Sequence, residues 1–524
     1  MPTDIADAVV IGAGPNGLVA ANALAEAGWD VVLLETNDEV GGAVRSGQVT
    51  APGFVTDLFS AFYPLAAASP VIRDLELANF GLHWVSAPAV LGHALPDGRA
   101  VVLHRNPEHT AASVADFAPG DGQAWLDLFA TWERIRDPLL DALFTPFPPM
   151  VATSKVLRRL GATGTLDFAR MAVSPVRRFA QERFAGEGAA LLLAGNSLHS
   201  DLTPDAGGSG IFGYLLAMLG QDVGFPVPQG GAGQLAAALR RRAEAYGARV
   251  LCGQRVTRID VVGGRATAVH TADRTVQARR AILADVSAPA LYRELLPEQS
   301  LPAAFLRELD RFQWDNATLK LNWALAGQIP WKNGALADAG TVHLGVDNDG
   351  LVGYAADLST GKLPRDPFVL LGQMTTADPL RSPAGTESVW AYTHVPQGVA
   401  AHPQIERMEQ AIEDVAPGFR DLVLARHVQT PHDMQAADAN LVGGALNGGT
   451  AALHQQLFFR PTVGLGRPET PLAGLYLASA SAHPGGGVHG APGWNAALSA
   501  LRANGRFGAV RRRLLRSAWG RIVR

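Results

Sequence analysis

The chain has a single cysteine, Cys252, in 524 residues. That excludes an intrachain disulfide framework and any metal site built from several thiolates. Lysine is almost as scarce: of 44 basic residues only Lys155, Lys320, Lys332 and Lys362 are lysines. No apolar run reaches the ~18–20 residues a membrane-spanning helix needs. The N-terminus lacks the basic-then-apolar layout of a secretory leader, since Asp4 and Asp7 precede the first apolar run, so a cytoplasmic location is expected. A net charge of −4 gives no field of the size that nucleic acid requires, and no nucleic-acid partner is expected. No histidine pair has ligand spacing, so no metal is expected either. There is no internal repeat and no G-x-S-x-G nucleophile elbow. What is abundant is apolar residue, 48% against 18% charged, which marks a folded chain. Its length exceeds one hydrophobic core, so two or more domains are expected.

The first fifty residues hold the clearest signal. Ala8 to Ile11 reads as a buried strand running into Gly12-Ala13-Gly14-Pro15-Asn16-Gly17. An Ala-rich helix from Leu18 to Ala27 follows, then a second buried strand, Val31 to Leu34, ending in Glu35. This is a βαβ unit with G-x-G-x-x-G at its first turn. Gly12 permits the turn, Gly14 lets a pyrophosphate approach the backbone, and Gly17 lets helix pack on strand. The helix N-terminus offers free N–H donors to phosphates. Glu35 stands where an acid accepts hydrogen bonds from a ribose diol. Gly41-Gly42-Ala43-Val44-Arg45 then adds a second glycine pair, for which a nicotinamide enzyme has no need. The pattern resembles flavoproteins of the glutathione-reductase-like group, which implies FAD, with Gly41, Gly42, Ala43 and Arg45 along the cofactor.

The far end has the same layout. Gly474 to Ala478 reads as a strand, Ser479 to Gly493 as a glycine-rich loop, and Trp494 onward as a helix. Leu475-Tyr476-Leu477 through His483-Pro484-Gly485-Gly486-Gly487-Val488 resembles the C-terminal FAD motif of the phytoene desaturase family, among the amine-oxidase-like flavoproteins. Within it the chain is similar to phytoene-dehydrogenase-related proteins and flavoprotein carotenoid ketolases, whose Leu457-Phe458-Phe459-Arg460-Pro461-like segment it shares. The resemblance covers the whole chain and implies FAD contacts at Ser479, Ser481, Gly487, Val488 and Asn495, and at Val256 through its backbone. It places His483 and His489 near the isoalloxazine, with a proton-handling or shape role, or simply filling the turn. Where the family has Gly-Ala-Gly at the strand end, this chain has Ser479-Ala480-Ser481.

The expected fold class is α/β: a glutathione-reductase-like FAD-binding Rossmann domain with an interleaved mixed α+β substrate domain. The FAD domain is expected from residues 1–70, 225–310 and 465–501, and the substrate domain from 71–224, mostly helical beyond residue 108, and 311–464. Lys320 interrupts the apolar strand Ala317 to Trp323. One reading is a solvent-facing residue on an edge strand; the other, implied by resemblance, is the lysine that amine oxidases place near flavin N5. Residues 502–524 carry eight arginines and no acid, leaving −12 for the remainder. Phe507, Leu514, Leu515, Ala518, Trp519 and Ile522 fall on one side of a helix there, with Arg511 intruding among them. A frayed tail and a helix on an anionic membrane surface are the two readings.

The resemblance implies an FAD-dependent oxidoreductase that moves hydride from a lipophilic, isoprenoid- or carotenoid-like substrate to flavin N5. Alternatives on the same scaffold are an amine oxidase, a carotenoid ketolase, an isomerase and a non-catalytic flavin-stabilised interaction protein. NAD(P)H is not expected as the reductant, because the second glycine run, Gly230 to Gly233, lacks a preceding buried strand and a following acid.

Overall fold

The computed structural model describes residues 3–464, 466–506, 508 and 510. Most of the basic tail, 511–524 together with Phe507, lies outside the described residues.

Two seven-stranded sheets organise the chain. In the first, strand Thr3–Ile11 pairs in parallel with Val31–Leu34 on one side and Thr275–Ala284 on the other. Arg249–Leu251 extends the parallel order beyond Val31–Leu34, and Leu475–Leu477 joins Thr275–Ala284. Parallel strands covered on both faces read as unbroken apolar runs, and all four residues of Val31–Leu34 are buried. Helices Pro15–Glu26, Gly233–Ala245 and Ala491–Asn504 pack on one face, while Leu291, Tyr292, Phe305 and Leu309 cover the other. The antiparallel strands Arg258–Val262 and Arg265–His270 complete the meander expected there. Val71, Ile72, Leu75, Leu77 and Leu82 also pack in the first of these clusters.

The second sheet runs in the order Val423–Gln429, Ala317–Leu325, Glu387–Val395, Val369–Gln373, Ala339–Leu344, Ala89–Ala94 and Ala100–Leu103. Its two faces differ in chemistry. Leu319, Leu321, Trp323, Val342 and Val389 pack under helix Pro403–Val415. The opposite face carries Lys320, Asn322, Trp390, Tyr392 and His394, in register across two strands, with His343 and His93 paired further along. Six helices between Pro107 and Val223 pack above part of that face. Ala317–Leu325 is hydrogen-bonded on both sides and every residue in it is buried. The edge-strand reading of Lys320 is therefore overturned: both edges of the strand are paired.

Candidate dinucleotide and reaction site

At the first glycine turn three close contacts exclude side chains. A methyl at Gly12, whose φ is 91°, would lie 2.7 Å from the Asp285 carbonyl oxygen. One at Gly17 would lie 2.0 Å from the Gly12 carbonyl oxygen, and one at Gly14 would lie 2.8 Å from Asp285 Oδ2. Gly14 is the N-cap of helix Pro15–Glu26 and has no side chain to offer. Asp285 supplies the missing bond from the next strand, Oδ2 accepting the Gly17 N–H at 2.8 Å. Glu35 braces the turn. Its Oε2 accepts the Ala13 N–H at 2.7 Å and Oε1 the Asn37 N–H at 2.9 Å, leaving second lone pairs on both oxygens. Asn16 is buried with its Oδ1 unpartnered.

The second glycine pair touches the first: a methyl at Gly42 would sit 3.1 Å from Gly14 Cα. Arg45 fastens this loop, donating to the Gly42 carbonyl at 2.9 Å and the Ala437 carbonyl at 2.8 Å. The Ala43 carbonyl accepts from the Ser60 hydroxyl. Val256 buries its side chain beside the meander, and just upstream Gln254 N–H donates to the Glu35 carbonyl.

At the C-terminal motif the two serines turn inward. Ser479 Oγ accepts the Ser481 N–H, while Ser481 Oγ donates to the Gly448 carbonyl at 2.9 Å and accepts the Ala288 N–H at 3.1 Å. Arg460 is buried among backbone carbonyls, donating to Asn447, Thr450 and Ala480, so it ties the 447–450 loop to this strand end. Gly487 has φ 103° and Val488 packs against the first cluster. His489 Nδ1 accepts the Ala491 N–H at 3.1 Å. Both ring nitrogens of His483 are buried, with the Thr145 backbone against the ring. Burial pushes each imidazole down to about 4, so both are neutral near pH 7. Asn495 donates to the Phe144 carbonyl. The two motifs meet where a methyl at Gly493 would be 1.9 Å from the Asn16 carbonyl oxygen.

Between the two sheets lies a buried ion cluster that the sequence does not reveal. Arg381 donates to Asp57 Oδ2 at 2.8 Å and Asp378 Oδ2 at 2.9 Å, all three side chains having no exposure. The same carboxylates accept the Ala232 and Gly230 N–H groups. In the second glycine run the Gly230 and Ala232 amides are thus occupied by carboxylates, the Gly231 amide by the Pro228 carbonyl and the Gly233 amide by the Ser46 hydroxyl. Lys320 Nζ donates to the Asp57 and Phe59 carbonyls and lies 5.4 Å from the Trp390 ring centroid. Burial lowers Lys320 to about 7, against the opposing pull of Asp57. Trp390 stacks on Tyr392, and beyond them His199 Nε2 and His343 Nε2 share a hydrogen bond of 2.9 Å. Among the described residues no group of three His, Cys, Asp or Glu is placed to hold a metal ion.

The structure brings Gly12 to Gly17, Glu35, Gly41 to Arg45, Ser479, Gly487 and Asn495 around the two glycine turns, and sets Lys320 apart on the second sheet. Sequence reading missed Asp285, Asp438, Asp57 and Arg381. Asp285 carried a signal, an acid at the carboxyl end of a buried parallel strand, where open α/β sheets bind ligands. Asp57 and Arg381 are 324 residues apart and carried none. The close-packed glycines, the unpartnered Asn16 Oδ1 and the free lone pairs of Glu35 fit an adenine dinucleotide.

The comparisons agree with this geometry. The chain is 29% identical to a mouse pyridine nucleotide-disulfide oxidoreductase domain-containing protein 2, over 95% of this chain and 93% of that protein. It is 25% identical to the neurosporene-forming phytoene desaturase of Cereibacter sphaeroides, with 94% of each covered. The fold matches that of an oxidoreductase from Methanosarcina mazei with a TM-score of 0.64 at 17% identity, covering 94% of this chain and 99% of the other. The family model described as flavin-containing amine oxidoreductase matches residues 16–497. The chain belongs to that family, and it is an FAD-dependent oxidoreductase.

Proposed function

We propose that the chain oxidises a lipophilic, isoprenoid- or carotenoid-like substrate, as the similar phytoene desaturase does by its name, and meets that substrate at a lipid surface. The observation that supports this is an apolar outer face bordering the C-terminal motif. Helix Met150–Val173, bent at Gly161, exposes Met150, Val151, Leu157, Leu166 and Val173. The nearby loop exposes Leu453, Leu457, Phe458 and Val463. Phe147 joins this face to the site, its ring 5.6 Å from Phe458 and 5.9 Å from His483. Apolar surface of this breadth calls for a cover. Residues 142–166 contain no acid but include Lys155, Arg158 and Arg159, all exposed, so anionic lipid suits it. The basic tail 502–524 would add to the same attraction.

What FAD supplies when bound is the acceptor for a hydride. The chain's own residues hold the dinucleotide at the two glycine turns and exclude water with the helices over the second sheet. Neutral His483 presents an uncharged wall, which suits a hydrocarbon. A second reading, amine oxidation, is favoured by Lys320 under Trp390 and Tyr392, a proton-holding amine beside an aromatic pair.

The test uses the triple variant M150D/V151D/F458D. Its sedimentation with phosphatidylglycerol vesicles should be lost with FAD content unchanged, and anaerobic flavin bleaching by a vesicle-borne isoprenoid should slow. Sedimentation equal to the parent's would contradict the lipid-surface reading. Deleting 506–524 separately measures the tail's share.

A further inference from the structure

Asp285 follows strand Thr275–Ala284 and turns its buried carboxyl against the glycine turn. Oδ2 accepts the Gly17 N–H, and the notional methyl at Gly14 would meet that oxygen at 2.8 Å. Two more acids face it. Glu35 comes from the end of Val31–Leu34 and holds the Ala13 N–H. Asp438 follows helix Pro431–Ala437; its Oδ1 accepts the Asn440 N–H, and a methyl at Gly42 would lie 3.4 Å from its Oδ2. Asn440 in turn donates to the Asp285 carbonyl, which locks this segment beside the turn. The cation bearing on the group is Arg45, which acts on Asp438. A helix N-terminus favours anions, yet a diphosphate arriving here would meet three carboxyls if all were ionised.

We propose that Asp285 is a cofactor-binding residue that works as a neutral carboxylic acid: Oδ2 accepts from Gly17, and the hydroxyl on its other oxygen donates to the FAD pyrophosphate. One carboxyl then caps the helix and extends its donor set toward the phosphates. Burial is the main cause that pushes Asp285 up, to about 8, with Asp438 and Glu35 adding to it and the Gly17 N–H opposing. Burial raises Asp438 as well. Ionisation of Asp285 replaces a donor by a like charge, so FAD affinity falls as pH rises.

The experiment titrates FAD into deflavinated protein by fluorescence quenching at fixed ionic strength, below the pH at which isoalloxazine itself ionises. The parent's Kd should be flat below about pH 8 and then rise about tenfold per pH unit, as the binding-competent fraction falls. Asp285→Asn keeps an acceptor for Gly17 and a donor for phosphate but cannot ionise, so its Kd should not rise. Asp438→Asn removes a like charge, so its rise should begin at lower pH than the parent's. A parent Kd that stays flat, or a rise seen equally in D285N, overturns the proposal. Should D285N fail to fold, a rise that D438N abolishes or delays overturns it instead.

Discussion

Replacing Arg381 by Met isolates the interaction that joins the two sheets. The guanidinium is the shared partner of Asp57 and Asp378, and none of the three side chains is exposed. Removing one partner of a buried pair costs about 3–5 kcal/mol, because the remaining charge stays desolvated and unpaired. Here two carboxylates are left, which argues for the upper end. Their other donors, Ser46 Oγ and the Ala232 N–H on Asp57 and the Gly230 and Leu380 N–H groups on Asp378, are neutral and compensate only in part. The comparison is Arg240→Met, which removes an exposed helix pair with Glu244 worth about 0.3–0.5 kcal/mol. A chain of this size with a bound cofactor does not unfold in one step. The quantity to compare is therefore the urea midpoint of the first transition, followed by circular dichroism and flavin fluorescence. R381M should shift it far more than R240M, and the neutral triple variant D57N/R381M/D378N should recover most of the loss. If R381M shifts the midpoint no further than R240M, the cluster does not hold the sheets together.

Lys320→Met should slow reoxidation of the reduced flavin by oxygen much more than its reduction by substrate, and an unchanged reoxidation rate would remove Lys320 from the reaction. The pH dependence has a definite sign. A lysine lowered from 10.5 to about 7 destabilises the fold below its unfolded value, increasingly as pH falls toward 7, so K320M should gain stability over the parent at pH 6 and little near pH 10. Gly493→Ala drives a methyl to 1.9 Å from the Asn16 carbonyl oxygen and should cost about 1–3 kcal/mol together with FAD affinity. Gly353→Ala, in helix Asn348–Ser359 with nothing within 4 Å, should be neutral or stabilising by comparison, which thermal unfolding of the two variants checks.

Local pattern made the dinucleotide half of the chain legible. The strands Val31–Leu34 and Leu475–Leu477 and the helix Pro15–Glu26 are short elements whose apolar runs and glycine punctuation fix them without tertiary help. Sequence reading starts that helix three residues late, at Leu18, although Pro at the first helical position and Gly14 before it mark it at Pro15. Lys320 was misjudged as edge-facing in one reading because alternation around a single charge looks the same on an edge and in a centre. Only the pairing of Ala317–Leu325 with two partners decides it. The roles of Asp285, Glu35 and Asp438 were hidden for a related reason. A carboxylate that braces a backbone turn and one that binds a ribose are the same letter in the sequence. The serines Ser479 and Ser481 keep the strand end small; Ser479 Oγ braces the turn at the Ser481 N–H and Ser481 Oγ ties it to Gly448 and Ala288, which explains how the turn survives without the family's glycines.

The most direct test is anaerobic mixing of the purified yellow protein with two sets of compounds, long isoprenoid hydrocarbons carried in phosphatidylglycerol vesicles and primary amines in solution. The flavin absorbance near 450 nm is recorded in roughly equimolar titrations, since a bound flavin that accepts hydride bleaches in proportion to turnover. The isoprenoids should bleach the flavin and the amines should not. Bleaching by amines alone would contradict the proposed function in favour of amine oxidation, and a flavin that no compound in either set reduces would contradict it altogether.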